Sequence, residues 1–394
     1  MKKIIKNIIY YTFILFSIVY FYIHRDHFIN IFHSVGLYAE TMLQPEIIYD
    51  ETYKINDILF QSDNYYYHLL DDNKKAIYLA IAQGVKNLDT EIMLKDYVFE
   101  SSEKTLNDVD TVLNYFHMDH PEVFYMDNQY EISTLSSVLG DNVTLKLNYF
   151  VKDKKELDSK IVAINQKINE YISLIDKEEV INAEISLHDM LAQNVSYYYF
   201  EDTNEIPTTC HTIEGAFLEN LAVCDGLAKA YQILLNNIDL ESIIVSGKLE
   251  GVPHAWNMVK LENEWYHVDI TSAKAIKEQD IVIHSYFNIT TEYIKKTHEI
   301  DEETVIPKAQ ANQYQYYQYM GYYVAKNEDL DSKISKIVQE SRDQNVIEIY
   351  VENDYNVLDD IYNVVHEHYR NVFNNSNQIK YYKILNVYIL MKVG

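Results

Sequence analysis

Leu221-Ala222-Val223-Cys224-Asp225-Gly226-Leu227-Ala228-Lys229-Ala230-Tyr231 is followed by Pro253-His254-Ala255-Trp256-Asn257 and then by Trp265-Tyr266-His267-Val268-Asp269-Ile270-Thr271. From Ala222 to Asn236 the apolar residues Leu227, Ala230, Tyr231, Leu234 and Leu235 follow the spacing of a packed helix. Cys224 falls in the first turn of that helix, where backbone N–H groups and the helix dipole favour a thiolate. Gly226, two residues on, leaves room for a backbone or a substrate to come close. Taken alone, a single helical cysteine reads as an inert core thiol.

The two later stretches reverse that preference. Val252 to Leu261 and Glu264 to Thr271 are strand-like, and the short polar link Glu262-Asn263 makes an antiparallel hairpin the natural connection. With a two-residue loop, His254 stands opposite Thr271 and diagonal to Asp269, and any even loop length keeps both on one face. A carboxylate there fixes the imidazole tautomer and stabilises the imidazolium. His267 shares the face of Asp269 and is a lesser rival base. Trp256, two residues past His254 on its face, is a core aromatic or a wall that excludes water from the site.

Around these residues the chain resembles the transglutaminase-like superfamily of papain-type folds. The resemblance rests on Gly215-Ala216-Phe217 with Ala222-Val223-Cys224-Asp225-Gly226, on His254-Ala255-Trp256-Asn257, and on Trp265-Tyr266-His267-Val268-Asp269-Ile270-Thr271. His188-Asp189 with Val195-Ser196-Tyr197, and Tyr286-Phe287-Asn288, extend it across residues 184–297. It implies an α+β fold with a papain/transglutaminase-like core. It also implies acyl transfer through a thioester, with Cys224 as nucleophile, His254 as base, Asp269 as orienting group, and Gly226 and Trp256 as substrate-site candidates. The expected function is a cysteine peptidase, amidase or transglutaminase acting on peptide or glutamine carboxamide bonds at the cell surface, with a peptide or protein substrate. A catalytically idle binding or structural module is the alternative. No cofactor and no metal are expected. A metal site built from Cys210, His211, Cys224 and His254 lacks ligand spacing, and there is no CxxC pair.

At 394 residues the chain is long enough for several domains. The expected division is an anchor at 1–29, a small α/β accessory domain at 30–152, the catalytic domain at 153–309 and a small α/β unit at 310–394. In the accessory part, helices are expected over Asp71 to Leu88 and Leu106 to Met118, and strands over Ile92 to Phe99 and Asn142 to Val151. His117-Met118-Asp119-His120 reads as a helix end before Pro121. Helices over Lys154 to Ile175 and Glu178 to Val195 lead into the central stretch. The last part is expected as a β-α-β-α-β run, with strands over Tyr314 to Ala325, Val346 to Val351 and Tyr381 to Met391.

The formal net charge of -27 opposes nucleic acid, whose phosphates require clustered Lys and Arg. The two cysteines are too few for a disulfide framework. Lys2, Lys3 and Lys6 precede an apolar run from Ile8 to Ile23 that ends in bulky residues, unlike a cleavage site. This reads as an uncleaved transmembrane helix, with the N-terminus cytoplasmic and the body outside.

Overall fold

A computed structural model describes residues 64–137, 140–199, 205–274, 281–302, 304–341, 344–352, 357–369 and 378–393. The first unit holds α1 (Tyr65–Leu69), α2 (Asp72–Asn87), β1 (Glu91–Met93), α3 (Ser102–Asp119), β2 (Met126–Ser137) and β3 (Gly140–Tyr149). Helices α4 (Lys154–Ser173) and α5 (Val180–Asn194) lead to the short strands β4 (Ser196–Tyr197) and β5 (Leu221–Ala222). Then come α6 (Cys224–Asn236), β6 (Ser242–Leu249), β7 (Val252–Leu261), β8 (Glu264–Val268), α7 (Thr291–Ile294) and β9 (His298–Ile300). The last unit holds α8 (Tyr316–Tyr319), β10 (Tyr323–Val324), α9 (Leu330–Glu340), β11 (Val346–Val351), α10 (Leu358–Tyr369), β12 (Gln378–Ile384) and β13 (Val387–Val393).

The central sheet runs β8-β7-β6-β9, antiparallel throughout, and α6 packs across β7 and β6. Its position follows from α6 burying Leu227, Ala230, Tyr231, Leu234 and Leu235, the apolar face read from the sequence. The expected hairpin is present: Leu261 pairs with Glu264 across Glu262-Asn263, and the register runs to Asn257 opposite Val268. Both turn residues have positive φ, 49° at Glu262 and 71° at Asn263, as a two-residue turn matching the strand twist requires. At Gly247 of β6 an added Cβ lies 2.0 Å from the Glu299 carbonyl oxygen and 2.8 Å from the Trp256 ring. Only glycine lets β9 and Trp256 close on this strand.

The first sheet runs β1-β3-β2 and the last β10-β11-β13-β12. One apolar core runs from Tyr66 in α1 through the central sheet to Ile389 in β13. A second core lies between β11, β13 and the helices α9 and α10, around Ile334, Ile337, Ile347, Ile349 and Leu390. The helix end at Asp119 holds, and its carboxylate turns inward to accept the Tyr66 and Tyr67 N–H groups at 3.0 and 2.9 Å.

Several local expectations are corrected. The strand expected from Ile92 to Phe99 is only Glu91–Met93. The long strand β2 was not read, because its sequence is largely polar and a bulge between Met126 and Tyr130 breaks its alternation. Tyr314 to Ala325 is not one strand: a helical turn at Tyr316–Tyr319 and the positive φ of Gly321 (78°) precede the short β10. Tyr381 to Met391 is a hairpin, folded at Leu385-Asn386. The transmembrane helix is corrected as well: among the described residues no helix is long and apolar enough to cross a membrane. The stretch 1–29 on which that expectation rests lies outside the described residues.

Replacing Asn263 by Val puts a β-branched residue at positive φ, and the unfolding free energy in urea is expected to fall by about 1–2 kcal/mol. Asn263→Gly is expected to hold or raise it.

Candidate active site

Cys224 is the first residue of α6. Val223 before it is extended and bonds through its N–H to the Cys210 carbonyl at 3.0 Å, which ties the helix start to the Thr208–His211 turn. Gly226 serves the same junction. An added Cβ there sits 2.2 Å from the Cys210 carbonyl oxygen, so the close approach it allows is that of backbone. Cys224 is partly exposed, whereas Cys210 is fully buried, and both are free thiols. Burial pushes the Cys210 thiol up, with Glu219 and Asp225 adding to the effect.

His254 lies in β7 and is buried, and Asp269 lies just past the end of β8. Their side chains meet: His254 Nε2 is 3.1 Å from Asp269 Oδ2. The diagonal placement expected from hairpin parity is thus realised. Cys224 at the start of α6 is near enough for its charge to act on His254. With Nε2 on Asp269, Nδ1 is the nitrogen that the carboxylate leaves open. Burial pushes His254 down, but the Asp269 charge and hydrogen bond, with the Cys224 contact, carry it up to about 10. Burial likewise opposes ionisation of Asp269, and its two histidine partners overcome that and hold it well below the usual carboxylate range.

The second histidine is His298 of β9, which the sequence reading missed. Its Nε2 is 3.2 Å from the same Asp269 Oδ2, and its Nδ1 is 2.9 Å from Thr297 Oγ1. Ser272 Oγ donates to Asp269 Oδ2, and the Thr271 N–H donates to Oδ1 at 3.0 Å. The buried carboxylate therefore has partners on both oxygens. No sequence spacing links His298 to Asp269. The signal is tertiary, since β9 pairs with β6, which pairs with β7.

Trp256 is buried, and its ring stacks beside His254 with centroids 6.0 Å apart and planes at 19°. Its indole N–H donates to His267 Nδ1 at 3.0 Å, and His267 Nε2 is 3.1 Å from Thr291 Oγ1. His267 therefore carries its proton on Nε2 and has both nitrogens occupied. Burial holds it down at about 3. The rival base is a structural link between β7, β8 and α7.

Tyr197 was also missed. The parallel pairing of β4 with β5 sets it beside Ala222, two residues before Cys224. Burial, then the charges of Cys224 and Asp269, push its hydroxyl up to about 12, so it keeps its proton.

Among the described residues, two groups of side chains converge closely enough for one cation: His254, Asp269 and His298, and His188, Asp189 and His284. In both, the histidine nitrogens already have the aspartate oxygen as hydrogen-bond partner.

The model of the transglutaminase-like superfamily matches residues 151–270, the stretch that holds Cys224, His254 and Asp269. This part of the chain is a transglutaminase-like domain, and the α+β fold class with that core stands. Among solved structures, the chain is similar to a TGase at 14% identity, over 61% of this chain and 59% of that one, with a TM-score of 0.28. It is similar to a candidate cysteine protease from Cytophaga hutchinsonii at 16% identity, over 36% and 62% of the chains, TM-score 0.23. A candidate protease from Parabacteroides distasonis aligns at 9% identity, over 37% and 40%, TM-score 0.21. The chain spans less than two thirds of the length of each of these structures. No curated protein matches it.

The raised His254 has a consequence for stability. Its folded value of about 10 exceeds the ordinary 6.5, so its contribution is complete below about pH 6.5 and is lost as pH rises through about 10. The difference in thermal midpoint between the wild type and His254→Phe is expected to shrink over that window, as followed by circular dichroism.

Proposed function

We propose that the chain is a thiol-dependent acyl-transfer enzyme acting on peptide or glutamine carboxamide bonds, with Cys224, His254 and Asp269 as its catalytic group. One observation carries this reading: a partly exposed thiol at a helix start lies within electrostatic reach of a buried histidine whose Nε2 is held by a buried carboxylate. A thiol, a base and an orienting acid in that order are the parts of an activated nucleophile. The family match supports the reading, because it falls on the same residues.

In the proposed reaction the thiol proton already rests on His254 when the Cys224 sulfur attacks the carbonyl carbon. The backbone N–H of Cys224 at the start of α6 supports the oxyanion, with the protonated Tyr197 hydroxyl as the second donor. His254 then gives its proton to the leaving amine, the C–N bond breaks and a thioester remains on Cys224. Water or a primary amine attacks the thioester, gives up a proton to His254 and frees the sulfur. Asp269 keeps its negative charge throughout and stabilises the imidazolium. Water as acceptor makes the enzyme a peptidase or amidase, and an amine makes it a transglutaminase. Trp256 does not reach substrate in this scheme. It is buried behind His254 and fixes the plane of the imidazole.

Iodoacetamide is expected to alkylate Cys224 faster than the buried Cys210, with a rate that falls in His254→Ala. Equal rates at the two cysteines, unchanged by His254→Ala, would refute the reading. Incubation with a glutamine peptide and a labelled amine separates the acceptors: ammonia release without label marks hydrolysis, and incorporated label marks transamidation. Either activity is expected to disappear in Cys224→Ala. It is also expected to decline as pH rises through about 10, where His254 loses the proton it must hand to the leaving amine.

A further inference from the structure

The C-terminal unit lies beyond the matched residues 151–270, and its sheet meets the catalytic unit through a buried charged side chain. Along β11, Ile347, Ile349 and Val351 face the core under α9 and α10. Side chains on a strand alternate, so Glu348 and Tyr350 face the other way, and Tyr350 joins the main core. Glu348 is only 6% exposed. A carboxylate so far from water is strongly disfavoured unless it is paired.

Its partners account for both oxygens. Oε1 is 2.7 Å from His284 Nδ1, and Oε2 accepts the His284 backbone N–H at 2.9 Å and the Tyr317 hydroxyl at 2.6 Å. The other nitrogen of His284, Nε2, is 2.9 Å from Asp189 Oδ1, on α5 of the catalytic unit. His188 Nδ1 meets the same oxygen at 2.9 Å. The Tyr316 ring lies flat on His284, with centroids 3.6 Å apart and planes at 5°. Burial opposes a charge on His284, but Glu348 and Asp189 bring it up to about 9. It is thus a cation at neutral pH, donating from each nitrogen to a carboxylate of a different unit.

This clamp sits at the head of the segment that holds the catalytic acid. Phe287 N–H turns back to the His284 carbonyl at 3.1 Å. The Tyr286 carbonyl, two residues past His284, accepts the Asp269 N–H at 3.0 Å. Ile289 and His267 exchange backbone hydrogen bonds at 2.9 and 3.0 Å. The Tyr286 ring packs edge-on against His298, at 5.3 Å. Residues 284–289 are therefore the backing strip for both the main chain of Asp269 and its second histidine.

We propose that Glu348 is a positioning residue for the catalytic centre: by holding His284 it sets the strip that places Asp269 against His254, so the C-terminal unit is a working part of the enzyme. The proposal rests on the catalytic reading of Cys224, His254 and Asp269. Glu348→Gln keeps the shape but replaces one acceptor oxygen with a donor, so the His284 contacts are no longer all made.

The test is a double-mutant cycle on the full-length chain, reading the iodoacetamide alkylation rate of Cys224 across pH 5–10 in wild type, Glu348→Gln, His254→Ala and the double variant. A displaced Asp269 is expected to slow alkylation at neutral pH by roughly tenfold in the presence of His254. It is expected to have little effect in the His254→Ala background, and the pH profile of the single variant moves. An equal effect of Glu348→Gln in both backgrounds, or none in either, overturns the positioning role alone. A His254→Ala rate equal to wild type removes the catalytic reading and the proposal with it. If Glu348→Gln does not fold, Tyr317→Phe carries the test, since it removes one hydrogen bond to Glu348 and leaves the charge. A smaller change in rate, again dependent on His254, is then expected, and an unchanged rate overturns the proposal.

Discussion

The buried Asp269 carboxylate is the constraint around which the transglutaminase-like unit is arranged. An isolated carboxylate in a protein interior is costly enough that it is protonated or paired. Here it receives His254 and His298 on one oxygen, the Thr271 N–H on the other, and the Ser272 hydroxyl. The four partners come from three places: β7, β9 and the turn that follows Asp269 itself. Satisfying one charge thus fixes the order β8-β7-β6-β9 at the end of the sheet where α6 begins. The proposed chemistry depends on the same arrangement, because the Asp269 charge is what raises His254.

Glycine and tryptophan make that arrangement possible. The absence of a side chain at Gly247 lets Trp256 and β9 approach β6, and Trp256 in turn backs His254 and satisfies His267. Gly226 does the same for the helix start, where the Cys210 carbonyl would collide with any larger residue. A second charged knot, Glu348 with His284 and Asp189, repeats the device at the boundary with the C-terminal unit. Both knots place a histidine against buried acid. Both are more sensitive to loss of a partner than an exposed ion pair, since a remaining buried charge has no water to turn to.

Much of the candidate site was legible in the sequence because it is built from local rules. The apolar spacing after Cys224 announced its helix, and the polar pair Glu262-Asn263 announced the hairpin. The period of two then put His254 and Asp269 on one face, where the structure brings them to 3.1 Å. The reading failed where local rules fail. β2 is polar and bulged, the tyrosine-rich Tyr314 to Ala325 stretch is mostly a helical turn with only a short strand at its end, and the final hairpin turns at Leu385-Asn386, which carries no glycine. In these places pairing partners far along the chain decide the backbone, and propensity does not.

The sequence by itself determined the identities and facing of the helix-borne thiol, the strand-borne histidine and the acid beyond the next strand, because helix and strand periods are properties of consecutive residues. Tertiary structure alone decided that His267 is occupied by Trp256 and Thr291 and is no base. It alone decided that His298 and Ser272 complete the acid's shell, and that Glu348, 79 residues beyond Asp269 in the chain, is tied to the strip behind it. The physical reason is the same in each case. These contacts satisfy buried charges and hydrogen-bonding groups between elements that meet only when the whole core closes, and no spacing along the chain encodes which elements those are.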